Sequence, residues 1–195
     1  MDLSNLQFDY NSKVIITYLL ICLGAWFLNV ITRGATNKLL FENYRSSPFN
    51  PLTYVRLFTH CIGHQNLDHL ISNFLYILLV GPMIEEKYGS INLIIMFLIT
   101  SLVIAIYNII FTNNVVLGAS GNVYMLIVLS SFSNITEGKI PLTVLLICIF
   151  FVLGEVKKSI LEHKTKVYHD GHIIGALCGL LFGFFFLYYK SFPFL

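Results

Sequence analysis

Two polar residues at the starts of apolar segments have the types needed for acyl transfer. Ser120 stands between glycines in Gly118-Ala119-Ser120-Gly121, and His172 lies at the beginning of the last apolar segment of the chain. A serine hydroxyl attacks a carbonyl carbon when a base removes its proton, and imidazole is the usual base at neutral pH. The residue types therefore predict a nucleophile, Ser120, and a general base, His172.

A second pair of polar residues could supply hydrogen-bond donors to the same reaction. His69 and Asn73 are four residues apart in a segment predicted to be helical, so they share one helix face. During attack the carbonyl oxygen gains negative charge, which donors on a helix face and backbone N–H groups at a helix start can stabilise. Gly118 and Gly121 permit the tight turns and the close approach of substrate that this requires.

The composition indicates that lipid surrounds the elements that position these residues. Hydrophobic residues make up 56% of the 195 residues and charged residues only 11%. Soluble domains carry about 25% charged residues. The net charge of +2 is small and forms no basic stripe, so we expect no nucleic acid partner. The sequence predicts a single all-α membrane domain over residues 1–195.

Six apolar runs are predicted as helices of a membrane bundle, and a helix needs roughly 20 residues to span a bilayer core of about 30 Å. They cover residues 14–31, 67–84, 91–111, 120–133, 140–154 and 171–189. The fourth run is too short to span, so its start at Ser120 is expected inside the membrane. The preceding loop, 112–117, must then enter the membrane, and irregular backbone there has to be buried or line water. This predicts an aqueous pocket at Ser120.

The sixth run repeats glycine every four residues, at Gly171, Gly175, Gly179 and Gly183. Such a row of small residues lets a neighbouring helix approach closely. If that neighbour is the fourth helix, His172 reaches Ser120.

These motifs together resemble the rhomboid family of intramembrane serine proteases. The likeness runs from about Arg56 to Gly183 and rests on HCIGHQNLDHLISN, GASG and GHIIGALCG, each at the expected helix. It implies a six-helix membrane bundle with a short fourth helix that starts inside the membrane and a long interfacial first loop. It also implies a Ser120–His172 dyad without a third carboxylate, and an oxyanion hole formed by His69, Asn73 and the backbone at Ser120.

The resemblance implies supporting roles for further residues. Tyr124 matches an aromatic residue that packs against the catalytic imidazole. Apart from the resemblance, His60 and His64 are expected to organise hydrogen bonds and water near the site. Arg56 matches the arginine of a Trp-Arg pair in the first loop, although Val55 replaces the tryptophan. Glu85 and Gly89 match a structural turn, which the charges of residues 85–87 place after the second helix.

Other interpretations of these residues are open but weaker. His60 and His64, four residues apart, could bind a metal, but no HExxH motif is present, so we expect neither metal nor cofactor. Asp170 is two residues from His172 and faces another side of a helix, which disfavours a triad. Taken singly, Ser120 could be a helix cap. The four cysteines are expected to be buried and reduced.

The resulting functional hypothesis is an intramembrane serine endopeptidase that cleaves transmembrane segments of membrane proteins in the lipid bilayer. One alternative is an inactive rhomboid-like protein that binds membrane clients, although such relatives usually lack the serine or the histidine. Another is a small channel or transporter, which would explain polar groups in the membrane but not the pairing of GASG with the glycine-rich histidine helix. Oligomeric state cannot be read from the sequence.

Loop charges and the resemblance predict opposite orientations. Positive residues favour the cytoplasm, and the two sides of the predicted bundle differ in their number. The side of the N-terminus carries four such charges, Lys13, Lys87, Lys139 and Lys190. The side of the active-site mouth carries eight, Arg33, Lys38, Arg45, Arg56, Lys157, Lys158, Lys164 and Lys166. Charge thus places the mouth in the cytoplasm, whereas the resemblance implies a multi-pass protein of a bacterial-type inner membrane with its mouth outside.

Overall fold

The chain folds as a helical bundle, as the composition and the apolar runs predict. The computed structural model describes residues 10–133, 142–147, 149–150, 153–154, 157, 169–189 and 192. Within these residues the helices are α1 Lys13–Ile31, α2 Pro51–Thr59, α3 Leu67–Tyr88, α4 Ser90–Phe111, α5 Ser120–Ser130, α6 Leu142–Ile147 and α7 His169–Tyr188, with a π-helical turn at Asn37–Phe41. The all-α fold class is confirmed.

Four of these helices, α1, α3, α4 and α7, are long and apolar enough to cross a membrane. Their outward faces carry large apolar side chains such as Leu79, Phe111 and Leu181, which are 76%, 70% and 69% exposed. Surface of this kind is stable in hydrocarbon rather than in water. The chain is therefore an integral membrane protein. Of the predicted fifth run, 140–154, α6 and a few residues after it are described, and the remainder lies outside the described residues.

Helix α5 lies at the centre of the bundle and packs against α3, α4 and, most extensively, α7. Met125, Leu126 and Leu129 are completely buried there. The helix has 11 residues, so it is only about 16 Å long. Because both of its ends are packed within longer helices, Ser120 at its start lies inside the bundle rather than at the end of a spanning helix.

Backbone contacts between α5 and α7 follow the glycine row that the sequence shows. Gly175 faces the carbonyl of Gly121, and Gly179 faces the carbonyl of Met125, so that a Cβ at either glycine would collide with main-chain atoms. Side chains can move aside to relieve a collision, but these carbonyls belong to a buried helix. The two helices are therefore held at a separation that only glycine permits.

We expect Gly175→Ala to destabilise the protein by about 1–3 kcal/mol, because the added methyl group must displace the α5 backbone. Gly24→Ala is the matched control, since no atom lies within 4 Å of a Cβ at Gly24 on α1. Thermal unfolding in detergent measures both. Equal melting temperatures for the two variants would show that the α5–α7 contact tolerates a methyl group.

The first loop contains more regular structure than the sequence suggested. Helix α2 begins where Asn50 caps the N-terminus, its side chain accepting a hydrogen bond of 3.0 Å from the Leu52 N–H, with Pro51 in the first turn. The buried guanidinium of Arg56 on α2 donates to the carbonyls of Leu39 and Lys38 at 3.0 and 3.1 Å. These bonds fix the π-helical turn against α2, so the loop is a folded unit.

Helix α3 extends beyond its predicted end at Ile84, as far as Tyr88. The sequence interpretation placed a turn at the charged residues 85–87, but Glu85 is buried and helical. Its carboxylate accepts hydrogen bonds from the N–H groups of Val14 and Ile15 at 3.0 and 3.1 Å, and so caps α1. The turn instead occurs at Gly89, which has a φ of +83°. A backbone of this conformation after a helix favours glycine.

Candidate active site

The structure brings Ser120 and His172 into hydrogen-bond contact. Ser120 is the first residue of α5 and His172 lies in the first turn of α7. The Nε2 atom of His172 lies 3.0 Å from the Oγ atom of Ser120. Tyr124, one turn further along α5, stacks on the imidazole with 4.2 Å between ring centroids and 9° between planes. This stacking restrains the ring so that Nε2 faces the hydroxyl.

His69 packs beside the backbone that precedes Ser120. Gly118 has a φ of +126°, a conformation rarely adopted by other residues. A Cβ at this position would lie 2.5 Å from Cε1 of His69. The Gly118 N–H donates to the carbonyl of His60 at 2.9 Å, which fixes this backbone conformation. Position 118 thus requires glycine for two reasons. Other residues rarely adopt its backbone conformation, and the imidazole of His69 occupies the space of a Cβ.

Asn73 is oriented by a buried histidine. The Nδ1 atom of His64 lies 3.0 Å from the carbonyl of Ile62, and its Nε2 atom lies 3.0 Å from Nδ2 of Asn73. A carbonyl can only accept, so Nδ1 carries the proton of the neutral ring and Nε2 accepts from Asn73. Burial, with a smaller contribution from nearby His69, lowers the pKa of His64 to about 4. One N–H of the Asn73 amide therefore stays available for another acceptor.

A single cavity of about 440 Å³ connects these groups. Seven of the nine residues predicted for the site line it, namely Ser120, His172, His69, Asn73, Gly118, Gly121 and Tyr124. The other two, His64 and Arg56, lie outside its lining. His64 contacts the cavity residue Asn73 from behind, and Arg56 holds the first loop, so neither is placed to touch a substrate.

Comparison with known proteins gives the family. A sequence model of the Rhomboid domain matches residues 51–189, more than half of the chain. The chain belongs to the rhomboid family.

Two curated rhomboid proteins illustrate the relationship. Rhomboid-related protein 1 of Caenorhabditis elegans is 32% identical over 143 residues, which cover 68% of this chain and 40% of that protein. RHOMBOID-like protein 1 of Arabidopsis thaliana is 29% identical over 139 residues, which cover 68% of this chain and 34% of that protein. The chain thus spans less than half the length of these relatives. They come from an animal and a plant and lend no support to the bacterial inner membrane expected from the sequence.

Two polar residues of the rhomboid cavity, Ser101 and Asn122, were not predicted from the sequence, whereas His60 was expected near the site. Asn122 is buried on α5, and its Nδ2 atom lies 3.3 Å from Oγ of Ser101 on α4. His60 lies 3.0 Å from the Ser101 carbonyl through Nε2. All three line the cavity. The sequence signal that could have identified Ser101 and Asn122 is their position within apolar helices, where a polar side chain is energetically unfavourable.

His60 and His64 are held by different groups and do not face a common ligand position. The first contacts the carbonyl of Ser101 and the second contacts Ile62 and Asn73. Burial lowers the pKa of His60 to about 4, as it does for His64. Among the described residues no group of three or more His, Cys, Asp or Glu side chains has the geometry of a metal site.

Stability of this rhomboid chain is expected to fall as the pH drops from 6.5 towards 4. The two buried histidines have pKa values of about 4 in the folded state, whereas a free imidazole titrates near 6.5. Between pH 6.5 and 4 the unfolded chain binds protons that the folded chain does not. Each buried histidine therefore lowers the free energy of unfolding by at most about 1.4 kcal/mol per pH unit. Above pH 6.5 the contribution of these two histidines to the free energy of unfolding is fully present.

Melting temperatures between pH 7.5 and 5 measure this effect, because most carboxylates stay ionised in that range. His64→Gln keeps a hydrogen-bonding side chain without the titration, so its melting temperature should depend less steeply on pH. A wild-type melting temperature that does not change from pH 7.5 to 5 would contradict the assignment of neutral, buried rings.

Proposed function

We propose that this rhomboid chain is an intramembrane serine endopeptidase that cleaves transmembrane segments of membrane proteins. The observation that carries the proposal is the 3.0 Å contact between Nε2 of His172 and Oγ of Ser120 at the wall of a cavity inside the helical bundle. A hydroxyl paired with an imidazole is the minimal arrangement for nucleophilic attack on a peptide carbonyl.

In the first step Ser120 Oγ forms a bond to the carbonyl carbon of the scissile peptide while Nε2 of His172 accepts the hydroxyl proton. The carbonyl electron pair moves onto oxygen, which becomes an oxyanion. Donors for this oxygen are the free N–H of Asn73, the imidazole of His69 and the backbone N–H at Ser120. Such donors interact more strongly with the oxyanion than with the neutral carbonyl, which lowers the barrier.

In the second step the oxyanion collapses and the C–N bond breaks. His172 returns its proton to the leaving nitrogen, and the acyl group stays on Ser120 as an ester. A water molecule then attacks this ester, transferring one proton to His172, and the acid product leaves as Ser120 regains its hydrogen. Hydrolysis requires water inside the bundle, and the side chains of Ser101, Asn122 and His60 give the cavity polar groups that can hold it.

The substrates we propose are membrane-spanning helices that unwind easily near the cleavage site. A helix hides its carbonyls in hydrogen bonds, so the chain must open before Ser120 can reach one. Glycine or proline near the scissile bond lowers the cost of opening, and a run of leucines raises it. The lipid bilayer supplies these substrates from the side.

Two alternatives are separated from the protease by a single assay. A client-binding rhomboid would bind a transmembrane peptide without cutting it, and a channel would conduct without binding it. We expect the purified chain to cleave a labelled transmembrane peptide in detergent and in liposomes, with new termini identified by mass spectrometry. Binding without cleavage would support the client-binding alternative. Reaction of single-cysteine variants with an impermeant thiol reagent in intact cells measures on which side of the membrane the cavity opens.

A further inference from the structure

Glu42 lies at the candidate active site although the catalytic steps above do not use it. It belongs to the first loop, directly after the π-helical turn, and its partly exposed side chain lines the same cavity as Ser120 and His172. Among the cavity-lining residues in the described part of the chain, Glu42 is the only aspartate, glutamate, lysine or arginine. A carboxylate in a cavity otherwise lined by neutral and imidazole side chains dominates the local field.

The backbone around Glu42 is fixed to the segment that leads to the nucleophile. Its N–H donates to the carbonyl of Asn37 at 2.8 Å and closes the π-helical turn. The next residue, Asn43, forms two backbone hydrogen bonds with Val116, at 3.0 and 2.9 Å. Val116 and Leu117 also line the cavity and precede the Gly118–Ser120 turn. The backbone of Glu42 is therefore fixed to the segment that leads to Ser120, so its side chain starts from a defined point of the cavity wall.

The charge of Glu42 is not neutralised by the described part of the protein. The nearby arginines bind main-chain carbonyls, Arg45 those of Ile109 and Ile110 at 2.7 and 2.6 Å, and Arg56 those of the π-helical turn. No described lysine or arginine forms an ion pair with Glu42, and no described group donates a hydrogen bond to its carboxylate. A partly buried carboxylate without a protein cation favours a cation from another source.

We propose that Glu42 selects substrates that carry lysine or arginine close to the scissile bond and rejects those with aspartate or glutamate there. The proposal rests on the endopeptidase function above. An extended substrate held with its carbonyl at Ser120 passes through the cavity that Glu42 lines. A basic side chain then pairs with the carboxylate, whereas an acidic one brings two like charges together in a site with restricted access to water. Attraction and repulsion both contribute to the discrimination.

The test uses transmembrane peptides that differ only in one residue, lysine, glutamine or glutamate. This residue is moved through each position within about four residues of the scissile bond, a reach of roughly 13 Å in an extended chain. At one or more positions we expect wild type to prefer lysine over glutamate by about threefold to tenfold in kcat/KM. Glu42→Gln should bring this ratio to about one, Glu42→Lys should invert it, and high salt should reduce it in wild type.

Asp68→Asn is the matched control, because Asp68 is an exposed carboxylate next to His69 that does not line the cavity. It should keep the wild-type ratio. A ratio unchanged by Glu42→Gln, or an equal loss of activity on all three peptides, would overturn charge selection by Glu42. Cleavage of the glutamine peptide by wild type keeps the endopeptidase proposal intact in that case, whereas no cleavage of any peptide would overturn both proposals.

Discussion

Replacing Ser120 by alanine should abolish cleavage of a transmembrane peptide, lowering turnover by about 10³-fold or more, because the nucleophile is lost. His172→Ala should have an effect of similar size, since the hydroxyl 3.0 Å from Nε2 then has no base. The two losses should not add in the double variant, because the residues act as a unit. Turnover of a labelled peptide, normalised to folded protein, measures all three variants.

A matched serine on the same helix separates chemistry from folding. Ser130 ends α5, and its hydroxyl donates to the Ile127 carbonyl at 2.7 Å, far along the helix from His172. Ser130→Ala should keep turnover, and all variants should melt near the wild-type temperature. A fluorophosphonate probe should label wild type and Ser130→Ala but not Ser120→Ala. Residual activity above a few per cent in Ser120→Ala would rule out the serine mechanism.

Removing an oxyanion donor should have the next largest effect. Asn73→Ala and His69→Ala are each expected to lower kcat by about 10²–10³-fold with little change in KM, because the donors act on charge that exists only in the transition state. The Asn73 amide is oriented by a neutral His64, and the His69 ring is packed against Gly118. Both groups are therefore positioned before substrate binds.

The control for this prediction is a buried asparagine elsewhere in the membrane-spanning part. Asn92 on α4 donates to the Tyr88 carbonyl at 2.7 Å and does not line the cavity. Asn92→Ala should lower the melting temperature while leaving kcat per folded molecule unchanged. If activity in Asn73→Ala and His69→Ala falls only in proportion to stability, as in the control, the two residues tie helices together and are not oxyanion donors.

The residues of the candidate site could be predicted because membrane helices penalise polar groups. Ser120 stands out within an apolar segment, and His172 lies at the start of another. Helical spacing alone places His69 and Asn73 on one face. The glycine row of α7 indicated which helix carries His172 towards Ser120. Each of these signals is local in the sequence or depends on one periodicity, so a single sequence is enough to read it.

What could not be predicted depends on partners distant in the chain. Glu85 was taken for a turn residue, yet it caps α1 about 70 residues away, and nothing near Glu85 in the sequence names that partner. A hydrogen-bonding role of His64 near the site was predicted, but its partner Asn73 follows only from the packing of the first loop on α3. Helix α2, in contrast, could have been predicted locally, because Asn50 followed by Pro51 is typical of a helix start. The mixed apolar and charged residues of the loop show no clear helical pattern.

Glycines of α7 pack against main-chain atoms of α5. The opposite face of α7 takes no part in positioning the dyad. That face carries Leu177 and Leu181, which are 48% and 69% exposed. Membranes of different thickness demand different lengths of apolar surface, and helices adapt by changing such outward residues or by tilting. In this protein α5 and α7 would tilt together as one body. Adaptation to a thicker or thinner bilayer can therefore proceed on the outer face of α7 while the distance between Ser120 and His172 stays constant.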